Sequence, residues 1–314
     1  MTAFAFVFPG QGSQSVGMLS AWGDHPAVRA TLEEASQALG EDLAQLIAQG
    51  PKEALALTTN TQPVMLVAGV AAYRAWRHEG GAAPAVMAGH SLGEYSALVA
   101  AGVLTLAQAT PLVRLRAAAM QEAVPVGVGA MAAILGLDSA RVMEGCREAQ
   151  SQLPAGEVVE AVNFNDPAQT VIAGTKAGVD KGCEVLKGMG AKRALPLPVS
   201  APFHSSLMKP AAEQLRKALE SLTLGAPQIP VLNNIDVAVE TGIDRIRDAL
   251  YRQAFGPVRW VESVRALKAR GISHVIECGP GKALTGMVKR IDAELVAAAI
   301  NDPASLAEVK ALLA

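Results

Sequence analysis

The sequence predicts an α/β protein in which a large unit is interrupted by a smaller one. Three observations carry this. Short apolar runs alternate with stretches of helical period along the chain, as strands and helices packed in layers do. A Gly-x-Ser-x-Gly segment, Gly89 to Gly93, lies between a predicted strand and a predicted helix. Between Gly127/Gly129 and Pro196/Pro198 the order becomes β-α-β-β-α-β, the ferredoxin-like split βαβ unit.

Residues 3–8 form a continuous apolar run, as in a buried strand, and Pro9-Gly10-Gln11-Gly12-Ser13 ends it. Residues 85–88 are a second small strand. Residues 94–101 are the helix after the Gly-x-Ser-x-Gly turn, and Thr105 opens another that runs to about residue 123. In the insert, strands are expected at 131–136, 158–164, 169–175 and 192–199, with helices at 139–150 and 177–189. The insert spans 127–197, and the large unit 1–126 and 198–314. Beyond the insert come a helix at 206–222, a strand at 229–235 and two helices between Gly242 and Arg270. A strand at 274–278, a helix at 284–291, a strand at 295–300 and a helix at 304–313 complete the chain.

Composition bounds the function. A chain of 314 residues and 32.4 kDa should fold to about 12,400 Å² of surface from about 47,000 Å², burying roughly 74%. Such a core needs neither disulfides nor metals. Hydrophobic residues at 51% and charged residues at 18% exclude disorder. A net charge of −2 and 4% aromatics argue against nucleic acid as a partner. Cys146, Cys183 and Cys278 lack metal-ligand spacing and fit free thiols in a reducing compartment. The apolar start has no basic n-region and reads as a strand rather than a signal peptide. The uncharged stretch 124–137 is 14 residues long, short of the roughly 18 that a membrane helix needs. A cytoplasmic protein that engages no membrane is expected.

Gly89-His90-Ser91-Leu92-Gly93 has the form of a nucleophile elbow, with Ser91 at a helix N-terminus whose free N–H groups favour developing negative charge. A serine nucleophile needs a base. His25, His78 and His274 read as structural or surface residues, and the turn is expected to point His90 away. His204, in the loop 200–206 after a strand, is the candidate base, since catalytic groups gather at that edge of an α/β sheet. The chain order of ordinary hydrolases offers Asp166 or Asp180 to orient it. Both fall in the insert, and a backbone carbonyl is the alternative.

Leu106, Ala109, Leu112, Val113, Ala117 and Met120 form one apolar helical stripe, and Arg116 lies within it while Arg114 does not. A charge on a buried face needs a partner. That partner is either an internal carboxylate or a substrate carboxylate held bidentately.

Four segments then carry a resemblance: Phe8-Pro9-Gly10-Gln11-Gly12-Ser13-Gln14, residues 89–95 (GHSLGEY), Phe203-His204, and Glu277-Cys278-Gly279-Pro280-Gly281-Lys282. In this order they resemble the motifs of the malonyl-CoA:acyl carrier protein transacylases of fatty-acid synthesis, over essentially the whole chain. The resemblance implies an α/β-hydrolase-like large subdomain with an inserted ferredoxin-like small one. It implies Ser91 as the nucleophile that takes the malonyl group, His204 as general base and then acid, and the N–H groups of Gln11 and Leu92 as the oxyanion hole. Arg116 matches the arginine that binds the malonyl carboxylate, and Gln253 the residue whose main-chain carbonyl orients the histidine. Asn163 and Asn165 match a polar segment lining the cleft, and Phe203 is expected to crowd an α-methyl group. Asp166 and Ala168 depart from a segment that often carries Ser and Gly, and Pro202 stands where Ala is frequent.

The implied partners are malonyl-CoA and a phosphopantetheine-bearing acyl carrier protein, with no metal or other cofactor and a monomeric enzyme. Carrier proteins are acidic, so Lys187, Lys192 and Arg193, or Lys282, Lys289 and Arg290, are candidate docking clusters. A discrete malonyl acyltransferase of a polyketide synthase, a serine thioesterase and a non-catalytic binding protein are the alternatives.

Overall fold

Along β1 (Phe4–Phe8), phenylalanines alternate with Ala5 and Val7, and this period of two sets the layering. The phenylalanines join one apolar cluster with Leu66, Trp76 and Leu98. Ala5 and Val7 join another with Trp260, Val264 and Leu284. A strand buried on both faces belongs to a parallel sheet with helices on either side. The computed structural model, which describes residues 2–199 and 201–314, has that sheet.

Its other strands are β2 (Val86–Gly89), β7 (Val231–Leu232), β8 (His274–Cys278) and β9 (Val296–Ile300), in the order β7-β2-β1-β8-β9, all parallel. β7 is shorter than the expected 229–235 because Pro230 precedes it and Asn233 turns away from the ladder. The four remaining strands are β3 (Gly129–Leu135), β4 (Val159–Asp166), β5 (Gln169–Thr175) and β6 (Arg193–Pro196). They form an antiparallel sheet ordered β4-β5-β3-β6. Helices Ser139–Ser151 and Lys176–Gly188 provide its two crossovers, giving the ferredoxin-like arrangement. Ala132 and Ile134 face those helices, whereas Met131 and Ala133 turn to the large unit. The chain is thus a hydrolase-like α/β subdomain with a ferredoxin-like one.

Between the first two strands lie the helices Pro26–Leu39, Leu43–Gln49, Lys52–Ala56 and Thr58–His78. The sequence reading assigns nothing to most of this stretch. Thr58–His78 is buried on every side from Thr61 to Ala72, so no amphipathic stripe marks it.

β4 is tied to the large subdomain along its length. Val258 N–H donates to Val162 O at 2.8 Å, and Phe164 N–H donates to Val258 O at 3.0 Å. Glu160 accepts from Ser206 N–H at 2.7 Å, and Arg290 Nε meets Asp166 Oδ2 at 2.7 Å.

The folded surface is 12555 Å². Among the described residues no helix is long and apolar enough to cross a membrane, and no cluster of three or more ligating side chains is placed to hold a metal. All three cysteines are free thiols.

Candidate active site

β7, β2 and β1 are neighbours, and at their carboxyl ends the chain delivers Asn234, Ser91 and Gln11 to one edge of the sheet. Ser91 sits between β2 and helix Gly93–Ala100 at φ 52, a left-handed conformation that strains a non-glycine residue. The turn is so tight that a Cβ on Gly89 would lie 1.9 Å from the main-chain carbon of Gly93. A Cβ on Gly93 would lie 2.0 Å from Phe8 O. Asn234 clasps the turn: Oδ1 accepts Ser91 N–H at 2.7 Å, and Nδ2 donates to Gly89 O at 2.6 Å.

His204 Nε2 lies 2.7 Å from Ser91 Oγ, and Nδ1 lies 2.9 Å from Gln253 O. A carbonyl only accepts, so Nδ1 carries the proton and Nε2 is left to accept from the serine hydroxyl. Burial first, then the charge of Arg116, pull the His204 pKa down to about 3, so the ring is neutral at pH 7. Asp166 is engaged by Arg290, and Asp180 meets Lys176 at 3.3 Å. Neither carboxylate bonds to His204. The histidine does not directly follow a strand: β6 stops at Pro196, and His204 stands in the chain that returns to the large subdomain. Ser200 of that loop lies outside the described residues.

Arg116 is 2% exposed in helix Leu106–Glu122. Nη1 donates to Gln62 Oε1 at 2.7 Å, while Nη2 donates to Gln253 Oε1 at 3.1 Å and to Ser91 Oγ at 3.3 Å. Its guanidinium also lies 5.3 Å from the centre of the Tyr95 ring. Every hydrogen-bond partner is neutral, and no carboxylate lies within salt-bridge distance among the described residues. Arg114, outside the stripe, instead holds Glu41 through two 2.7 Å bonds.

The backbone N–H groups of Gln11 and Leu92 donate to no protein acceptor among the described residues. The Gln11 side chain is tethered through Nε2, which donates to Thr58 Oγ1 at 2.8 Å. Asn165 Oδ1 accepts from His90 Nε2 at 2.8 Å. His90 therefore turns into the site, contrary to expectation, because the small subdomain presents it with an acceptor. Asn163 Oδ1 is buried with no partner. Gln11, His90, Ser91, Arg116, Asn163, Phe203 and His204 line one cavity of about 140 Å³, closed by Met120, Met131, Leu197 and Val199.

Three buried residues were not anticipated. Asn234 follows a strand at the active edge, a position that was itself a signal. Gln62 is hidden in the helix that lacks a stripe. Glu94, in the first turn after the serine, accepts from Asn234 N–H at 2.9 Å and Gln253 Nε2 at 3.0 Å. Burial pushes its pKa up to about 7.

A serine hydroxyl bonded to a neutral histidine is an arrangement suited to nucleophilic chemistry, and residues 5–303 match the acyl transferase domain family. The chain belongs to that family. Its members include a malonyl CoA-acyl carrier protein transacylase of Escherichia coli (strain K12), with which this acyl transferase shares 56% identity over 98% of each chain. The crystal structure of an acyl-carrier-protein S-malonyltransferase from Burkholderia pseudomallei 1710b superposes with a TM-score of 0.96 at 63% identity, covering 99% of this chain and 100% of that one. A malonyl-transacylase in complex with its type II polyketide synthase acyl-carrier protein has the same TM-score at 51% identity, over 99% and 100% of the two chains.

Proposed function

We propose that this acyl transferase moves the malonyl group from malonyl-CoA to the phosphopantetheine thiol of an acyl carrier protein through a malonyl ester on Ser91. The observation that carries the reading is Arg116, a buried cation with only neutral partners beside the serine hydroxyl. A carboxylate on the acyl group supplies a counter-charge in direct contact with the guanidinium.

In the first half-reaction His204 Nε2 takes the Ser91 proton as Oγ attacks the thioester carbonyl. The N–H groups of Gln11 and Leu92 receive the oxyanion. Collapse expels the CoA sulfur, which takes the proton from His204, and the serine ester remains. In the second, the carrier thiol gives its proton to His204 and attacks the ester, and Ser91 leaves with that proton. Gln253 O keeps the ring oriented. Asn163 Oδ1, buried without a partner, accepts from a pantetheine amide in this scheme, Asn165 acts through His90, and Phe203 limits substitution at the α-carbon. The subdomain boundaries are taken at 126/127 and 197/198.

The enzyme so proposed is a cytoplasmic monomer that works without metal, nucleic acid or membrane. An acidic carrier would meet Lys187, Lys192 and Arg193, or Lys282 and Lys289. Arg290, engaged by Asp166, is the least available of the docking candidates. Fatty-acid synthesis is the main setting. The relative in complex with a polyketide carrier favours a second setting, which parallel assays with both kinds of carrier would separate.

Intact mass spectrometry after brief incubation with malonyl-CoA tests the reading. A malonyl adduct on wild type that persists until carrier protein is added, and none on Ser91→Ala, is expected. Free malonate without an adduct would make the protein a thioesterase.

A further inference from the structure

Glu94 takes no part in these steps, yet it is buried directly behind them. One oxygen, Oε2, accepts from two donors, Asn234 N–H and Gln253 Nε2. Both donors belong to residues that hold the site. Asn234 clasps the elbow through its side chain. Gln253 gives its main-chain oxygen to His204 at 2.9 Å, its Oε1 to Arg116 at 3.1 Å and its Nε2 to Ser91 O at 3.0 Å.

The direction of the Gln253 amide is therefore decisive. Turned over, it would set its NH₂ against the Arg116 guanidinium, and its oxygen against Ser91 O and Glu94 Oε2. Donor would face donor and acceptor would face acceptor, inside a buried site where unmet polar groups are costly. The Glu94 oxygen forbids that orientation.

We propose that Glu94 is a positioning residue of the transfer reaction. As shared acceptor for Asn234 and Gln253, it fixes the Gln253 amide and so keeps Ser91, His204 and Arg116 in one register. The inference rests on the acyl-transfer reading above. What matters is the reach of an acceptor oxygen rather than its charge. Glu94→Gln keeps an acceptor at the same reach without the charge. Glu94→Asp keeps the charge but withdraws it by one methylene.

The test is kcat and KM for malonyl-CoA, per Ser91 that can be labelled, in wild type, Glu94→Gln and Glu94→Asp, each also combined with Gln253→Met. Gln253→Met preserves the main-chain carbonyl that orients His204. Glu94→Asp should lower kcat about 10- to 100-fold, the loss that ångström-scale misplacement produces, with KM within about threefold. Glu94→Gln should stay about tenfold above Glu94→Asp. In the Gln253→Met background that gap should shrink below about threefold, since the two residues act as one unit.

An Asp variant as active as the Gln variant would overturn the proposal, because the reach of the acceptor oxygen would then make no difference. A gap undiminished without the Gln253 amide would overturn it too. So would loss of labelled serine at unchanged kcat per label, which marks a folding role alone. The wild-type adduct and its absence in Ser91→Ala test the underlying reading separately. Failure there removes the acyl transfer, whereas failure in the variants alone removes only the role of Glu94.

Discussion

Ser91 Oγ and His204 Nε2 meet at 2.7 Å across 113 residues of sequence, and both residues hold left-handed backbone, at φ 52 and 66. Each such conformation costs about 1–3 kcal/mol and persists only where its surroundings impose it. At Ser91 the clasp of Asn234 does so. At His204 the ring is held at both nitrogens.

If the pair is the reacting couple, Ser91→Ala removes the acyl adduct, and His204→Ala slows its formation at least about 1,000-fold. Rapid-quench measurement of the adduct checks both. A His204→Ala variant acylating at the wild-type rate would exclude the histidine as base.

Arg116→Ala should raise KM for malonyl-CoA and cut kcat/KM about 10- to 200-fold, the worth of one charged hydrogen bond. The selectivity between malonyl and acetyl donors should collapse with it. Arg116→Lys should rescue little, because a point charge cannot replace a planar fork held at both ends. Wild-type preference in Arg116→Ala would refute the assignment.

Two buried groups titrate in opposite senses. The pKa of His204 falls from 6.5 to about 3, so its stabilising contribution is complete above pH 6.5 and is lost on acidification toward 3. The pKa of Glu94 rises from 4.5 to about 7, so its contribution is complete below pH 4.5 and is lost as pH rises toward 7. Between pH 4.5 and 6.5 the slopes cancel, each being about 1.4 kcal/mol per pH unit. Glu94→Gln removes one of them. Its urea-unfolding free energy should therefore fall on acidification through that window more steeply than wild type, by about 1.4 kcal/mol per unit. Parallel curves would contradict this.

Asn234→Ala strands two backbone groups, the half-buried Ser91 N–H and the buried Gly89 O, and should cost about 3 kcal/mol of stability together with most of the activity. Denaturant midpoints and adduct yield would report the two losses side by side.

Phe203 is 8% exposed and lines the cavity. Phe203→Ala should shift the ratio of malonyl to methylmalonyl turnover toward methylmalonyl by about tenfold, the scale of one alkyl group in an apolar pocket. Competition between the two thioesters, read by mass, measures it.

The sequence makes the elbow legible because only glycines fit at 89 and 93, and it makes Arg116 legible because a guanidinium on an apolar stripe stands out. The ferredoxin-like insert is visible for a similar reason, since its helices are amphipathic and its strands short. Thr58–His78, buried all round, has no periodicity to read, and Gln62 is concealed with it. The carbonyl that orients His204 is invisible to any side-chain search, because every residue has one. His90 turned inward on account of Asn165, a neighbour 75 residues away.

The bonds along β4 join the small sheet to the large subdomain beside the cavity. Val258, Ser206 and Arg290 are fastened to that strand, and His90 is joined to Asn165, so one wall of the cavity is bonded to the segment that carries the nucleophile. The opposite wall is β6 and the chain beyond it, carrying Leu197, Val199 and Phe203. The cavity is thus a seam, in which one sheet, stitched by β4 to the unit that carries the nucleophile, also holds the chain beyond β6 through Leu197 N–H and Met131 O.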